Sequence, residues 1–178
     1  MNSPEKVAST YLRLNGFLLL PNFTVFDGEH HTDIDLIGVR APDAAERIGD
    51  IALPFDPLLT KALPLVGGRW IAMAAQVKAG RAEYPPDAHL QYVQHVVGGE
   101  TRVVRAGFTG EAGGVSVQAN GVLVSLEHAL SWIWWRFDWM DENARSLTKD
   151  GSWAWSEPFL ADLLLLRRLG LIDGGGPV

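Results

Sequence analysis

The chain has 178 residues, 47% of them hydrophobic and 20% charged, which suits one packed globular domain with a substantial core and argues against a disordered chain. It contains no cysteine, so disulfides, thiolate metal sites and cysteine nucleophiles are excluded, and any metal must be held by oxygen or imidazole. A net charge of −6 argues against a protein that coats nucleic acid through a general basic surface, but not against an enzyme that gathers carboxylates around a metal.

The opening MNSPEKVAST lacks the basic start and apolar run of a secretory signal, and no stretch approaches the ~20 apolar residues of a membrane span. A cytoplasmic protein with no membrane partner is therefore expected. Ser3, Pro4 and Glu5 read as an N-cap, a first-turn proline and a first-turn acid, and Gly16 as a stop, which predicts a helix over residues 4–15. Its apolar stripe is Val7, Tyr11 and Leu14, and Glu5 shares a flank with Ala8 and Leu12 at the edge of the core.

Residues 17–26 and 31–40 read as two strands of a hairpin around Asp27-Gly28, and alternation puts Asp33, Asp35, Ile37 and Val39 on one face. Residues 41–68 are rich in proline and glycine, and one short helical piece is expected near 44–48. A strand over 70–78 follows, ending in Gln76-Val77-Lys78, as at the rim of a sheet. The segment DAHLQYVQHVV then reads as a crossover helix stopped by Gly98-Gly99. Strands are predicted over 101–108 and 115–124, and helices over 125–143 and 156–169. The first of these helices is apolar nearly all round and must be covered on more than one side. All of this fits one domain over 1–178, with a motif-bearing core in 1–100 and the remaining strands and covering helices in 101–178.

The order of a helix with Glu5, a hairpin strand with Asp35, a strand ending Gln76-Val77-Lys78 and a crossover helix resembles the PD-(D/E)XK nuclease superfamily over residues 4–97. The Gln-x-Lys form looks most like its Mrr-like branch. The resemblance implies a three-layer α/β fold of the restriction-endonuclease type: a mixed central sheet flanked by helices, here with extra C-terminal helices. It also implies DNA phosphodiester hydrolysis with Mg²⁺ or Mn²⁺. Glu5, Asp35, Gln76 and Lys78 then form the catalytic set, and Asp35, Gln76, the Val77 carbonyl and Asp33 hold the metal. Gln91 and Arg81 are substrate contacts, since in related nucleases a glutamine on the crossover helix approaches the site. Arg102 and Arg105 are further candidate phosphate contacts.

The chemistry explains these residue types. A water must attack a phosphodiester against its negative charge, and a hard cation on oxygen ligands acidifies that water while neutralising the charge that develops. Lys78 would orient the water or stabilise the transition state. Gln76 stands where the commonest pattern has an acid, which removes one negative charge. Asp33, two residues and about 7 Å along the strand from Asp35, is the natural compensator.

The bland readings are a helix-dipole acid for Glu5, a strand-entry residue for Asp33, a strand running into solvent for Gln76 and Lys78, and solvated charge for the arginines. His30 and His31 with Asp33 and Asp35 also suggest a transition-metal cluster, but alternation lets only His31 share the aspartate side. The tryptophans Trp132, Trp134, Trp135, Trp139, Trp153 and Trp155 could stack bases; more simply, they read as core plus a homodimer interface through the C-terminal helices. The alternative function is a catalytically inactive module of the same fold that binds nucleic acid or a protein partner. It requires Lys78 or Glu5 to be turned away or already paired. A protein without nuclease ancestry would hold Asp35 and Lys78 far apart.

Overall fold

The computed structural model describes residues 2–27, 30–48, 50–63, 68–119 and 121–143, without the side chains of 27, 30–32 and 48. In chain order the elements are α1 (Ser3–Arg13), β1 (Leu18–Asp27), β2 (His30–Arg40), β3 (Arg47–Ile48), β4 (Ile51–Ala52) and α2 (Pro57–Ala62), followed by β5 (Ile71–Lys78), α3 (Asp87–Val97), β6 (Arg102–Thr109), β7 (Val115–Gln118), β8 (Gly121–Ser125) and α4 (Leu126–Asn143). They divide between two compact units, Met1–Ala44 with Phe55–Leu130, and Ala45–Pro54 with Ser131–Val178.

The first unit is an α/β arrangement on a mixed six-stranded sheet in the order β1-β2-β5-β6-β8-β7. β1 pairs antiparallel with β2 and β2 with β5, while β5, β6 and β8 run parallel, and β7 returns antiparallel on β8. Helices lie on both faces. Tyr11 of α1 meets Phe108 edge-on, with ring centroids 6.1 Å apart. Val93 of α3 joins Ala72 and Ala74 in an apolar cluster with Val25, Ile34 and Ile37. Phe108 pairs with Val77, whose parity on β5 is opposite to that of Ala72 and Ala74, so α1 and α3 cover opposite faces. Alanines at 72 and 74 leave room for α3 to approach the sheet.

Local chemistry explains where α1 begins and ends. Asn2, rather than Ser3, is the N-cap: its side chain accepts from Glu5 N, and the Glu5 carboxylate accepts from Asn2 N at 3.0 Å, a reciprocal capping box. Gly16, at φ +81°, provides the expected stop.

Two expectations fail. Residues 44–48 contain no helix; the short helix of this region is α2, whose first turn is set by Pro57 and by Asp56 accepting from Leu58 N. The stretch 115–124 is not one strand but the β7–β8 hairpin, which reverses next to Gly121, at φ +146°.

In the second unit, β3 and β4 form a two-residue antiparallel ladder, Arg47↔Ala52 and Ile48↔Ile51. Arg136, completely buried on α4, binds the Glu46 carboxylate and donates to the Pro54 carbonyl at 2.8 Å. Trp132 stacks on Trp135 at 4.6 Å, and Trp134 meets Phe137 edge-on at 6.0 Å. Trp132, Ile133, Trp134, Phe137 and Met140 are all buried, so α4 is covered on several sides, as its composition requires. Trp132 and Trp134, from the set read as core plus a homodimer interface, lie in the core. Trp153, Trp155 and the helix expected over 156–169 lie outside the described residues. No described helix is long and apolar enough to cross a membrane.

Candidate active site

Asp35 sits where the sheet loosens on both sides. The β1–β2 pairing passes from Pro21↔Leu36 to Phe23↔Ile34, and between these pairs Asn22 adopts a left-handed conformation (φ 52°) opposite Asp35. On the other side the β2–β5 ladder ends at Leu36↔Ala75. Continued by one residue, that register would oppose Asp35 to Gln76; continued by three, it would oppose Asp33 to Lys78. Instead the Asp35 carboxylate takes over the role of a main-chain acceptor, and Val77 N donates to its Oδ2 at 2.7 Å. Simple alternation also lapses here, because Ile34 and Ile37 enter the same apolar cluster.

The charges around Asp35 pull in opposite directions. Burial raises its pKa above the usual aspartate value; the Val77 N–H and the Lys78 ammonium lower it, and the Glu5 and Asp33 carboxylates raise it. The net effect is a rise. Four of the expected site residues therefore share one electrostatic neighbourhood at the rim: Asp35, Lys78, Glu5 and Asp33. Asp33 is exposed.

Gln76 is the fifth. Its Nε2 lies 3.5 Å from the Asp33 carbonyl, a long contact, while its Oε1 is buried and accepts no hydrogen bond among the described residues. Val77 is buried and pairs in parallel with Phe108. Glu5 is engaged at its own helix end, with Oε2 accepting from Asn2 N and Oε1 from Asn2 Nδ2 at 2.7 Å. Lys78, half-buried, forms an ion pair with Glu83 at 3.5 Å.

The loop after Lys78 is anchored tightly. Gly110 N donates to the carbonyls of Lys78 and Gly80, both at 3.1 Å, and Thr109 Oγ1 donates to Gly80 O at 2.6 Å. A Cβ at Gly110 would lie 1.9 Å from the Ala79 carbonyl oxygen, and one at Gly107 2.8 Å from that of Glu83. Only glycine lets the loop rest against β6 at Gly107 and against the residue just after the strand, Gly110.

The expected substrate contacts are less convergent. Arg81 is exposed on this same loop. Gln91 is exposed and lines an open groove of about 550 Å³ with Leu90, Gln94, His95 and Val103; among the described residues no hydrogen bond joins it to Asp35, Gln76 or Lys78. Arg105 is paired with Asp87, and Arg102 is exposed at the start of β6. The side chains of His30 and His31 lie outside the described residues.

Two features escaped the sequence reading. His89, in the first turn of α3, is 3% exposed; burial lowers its pKa below the ordinary histidine value, and nearby Asp33 raises it. Its signal was available, since His89 and Val93 are one helical turn apart on the inward face. The second is a buried cluster around Asp56. Its Oδ2 accepts from Tyr11 Oη at 2.5 Å and lies 2.6 Å from His128 Nε2, its Oδ1 takes Leu58 N at 2.8 Å, and its own N–H donates to Asn15 Oδ1 at 2.7 Å. Burial would raise the Asp56 pKa, but the bonds from His128, Tyr11 and Leu58 outweigh it and hold it below the usual value. Tyr11, buried beside that carboxylate, is pushed well above the ordinary phenol value.

No family model, curated protein or solved structure matches this chain. The donor chemistry must therefore be judged on its own. Among the described residues no three histidine, aspartate or glutamate side chains converge as a metal-binding group. One residue beyond the last β2–β5 pair on each strand, the rim does offer the Asp35 carboxylate and a Gln76 Oε1 that has no donor among the described residues, both hard oxygens of the kind a hard divalent cation takes.

Proposed function

We propose that the protein is a metal-assisted phosphodiesterase of the nuclease type, acting on DNA at the rim formed by Asp35, Gln76 and Lys78. The observation that carries this reading is the buried Gln76 Oε1, an acceptor with no donor among the described residues, on the strand end that faces the half-buried Asp35 across the last β2–β5 pair. A buried acceptor left unbonded costs about 1–3 kcal/mol, and a cation bound there removes that cost. Asp35 and Gln76 Oε1 would hold Mg²⁺ or Mn²⁺, with the Val77 carbonyl and Asp33 as further oxygen donors. When bound, the ion neutralises phosphate charge and acidifies a water.

The chain's own groups do the rest. Val77 N–H fixes one Asp35 oxygen and leaves the other for the rim. Lys78 places its ammonium where negative charge grows on the phosphoryl oxygens. Glu5 and Asp33 add negative potential that favours a cation, and Arg81 offers the phosphate a guanidinium; Gln91 is a more distant contact.

A second reading is favoured by specific observations: Glu5 is held in its capping box, Lys78 is paired with Glu83, and among the described residues no three histidine, aspartate or glutamate side chains gather as ligands. These support an inactive module of the same fold that binds nucleic acid or a protein partner.

The test compares cleavage of linear, supercoiled and single-stranded DNA in Mg²⁺ and Mn²⁺ by the protein and by its Asp35→Ala and Lys78→Ala variants. Loss of cleavage on the order of 10³-fold in both variants is expected. Absence of cleavage on every substrate, with no divalent binding by calorimetry, would sink the enzyme reading and leave the binding module.

A further inference from the structure

Residue 76 gives Lys78 no counter-charge, because a glutamine is neutral. Asp35, with one oxygen taken by Val77 N, acts on the ammonium only through its field. The carboxylate that does reach the Lys78 ammonium comes from outside the strand motif: Glu83, five residues on, with 3.5 Å between Nζ and Oε2.

The placement of Glu83 is built into the backbone. Gly110 N holds the carbonyls of Lys78 and Gly80, and Thr109 Oγ1 holds Gly80 again. The Glu83 carbonyl rests directly over Gly107, where any side chain would collide with it. Next to it, Tyr84 Oη donates to Gln118 Oε1 at 3.2 Å and ties the loop to β7. An exposed ion pair between free side chains contributes little. This pair is itself partly exposed, Lys78 at 39% and Glu83 at 63%, but the two backbones are fixed against neighbouring strand positions, so the chain brings the side chains within reach of each other before they meet.

From this geometry we infer that Glu83 is the positioning residue for Lys78, supplying from the anchored loop the carboxylate that the strand lacks at Gln76. The inference rests on the phosphodiesterase reading for its catalytic consequence, but the pairing itself is physical and can be measured without turnover. Glu83 touches neither the metal nor the phosphate in this scheme. It fixes where the ammonium sits, and misplacing a catalytic group by about an ångström is enough to slow a reaction substantially.

The experiment uses the full chain with Glu83→Gln, Glu83→Asp, Gln76→Glu and the double Gln76→Glu/Glu83→Gln. Two quantities are read: the acylation rate of Lys78 by an activated ester, followed by peptide mass spectrometry, and kcat and KM for DNA cleavage. Glu83→Gln is expected to raise Lys78 labelling several-fold and to lower kcat on the order of tenfold with little change in KM. Glu83→Asp should fall between, and the double variant should restore both values by returning a carboxylate from within the strand. Lys78 labelling unchanged in Glu83→Gln overturns the pairing. A normal kcat despite changed labelling, or a double variant as impaired as the single one, overturns the positioning role. A wild-type protein that cleaves nothing removes the phosphodiesterase reading, and the labelling then decides the pairing alone.

Discussion

Two aspartates in the first unit illustrate opposite solutions to burying a carboxylate. Asp56 is 1% exposed and well served: a phenol and an imidazole meet one oxygen, a backbone N–H meets the other, and its pKa falls. Asp35 is only half-buried but poorly served, with one N–H on one oxygen, two acidic neighbours and a raised pKa. The first arrangement joins α1, the start of α2 and the first turn of α4 as a structural tie. The second leaves unmet demand at a rim, which is how a ligand-ready site differs from a core network.

The contrast can be broken most severely at Asp56. Asp56→Ala leaves the Tyr11 hydroxyl and the His128 ring without their acceptor in a dry environment, and urea denaturation should show a loss of about 3 kcal/mol. An unchanged midpoint would mean the cluster ties nothing together. Gly110→Ala comes next: it drives a methyl group into the Ala79 carbonyl, should cost on the order of 2 kcal/mol, and should impair DNA cleavage while leaving the Asp56 bonds intact.

Acid provides a third handle. The folded pKa of Asp56 lies below its unfolded value, so its contribution is fully present above about pH 4 and is lost as pH falls through the folded value. Stability measured from pH 5 downward should therefore decline less steeply in Asp56→Asn than in the wild type. The smallest effect has the opposite sign. Asp35→Asn keeps an acceptor for Val77 N but removes a charge that burial, Glu5 and Asp33 together oppose more than Val77 N–H and the Lys78 ammonium favour it. In metal-free buffer it should raise stability by a few tenths of a kcal/mol while abolishing metal binding. A destabilised Asp35→Asn would place Asp35 in the same class as Asp56.

Much of this contrast was visible in the sequence on one side only. Asp35 stood out because a carboxylate within the apolar run Ile34–Ile37 is rare enough to need a reason, and Gln76 with Lys78 followed an unbroken apolar strand. Asp56 gave no such signal. It lies in a proline-rich segment where periodicity carries no information, and its partners are 45 and 72 residues away, so only the tertiary fold brings them together. The β7–β8 hairpin was missed for a different reason: apolar residues continue on both sides of the reversal and mask it, although Asn120-Gly121 is a strong hairpin-turn signal. Glu83 was overlooked because motif reading stops at the strand's end, whereas its position depends on two glycines some 25 residues further on.

The outermost strand carries a last consequence. β1 is an edge of the sheet, and it displays Leu18 (75% exposed), Leu20 (53%) and Phe26 (77%). A bare apolar edge of this kind invites another chain to add a strand. Pro21 offers no N–H to such an intruder, and Asn22 bends the backbone away from the extended path just beside it. The same left-handed turn that opens the ladder opposite Asp35 thus also breaks the template this edge offers, and replacing Pro21 and Asn22 with regular strand formers would be expected to turn the edge into a nucleus for fibrils.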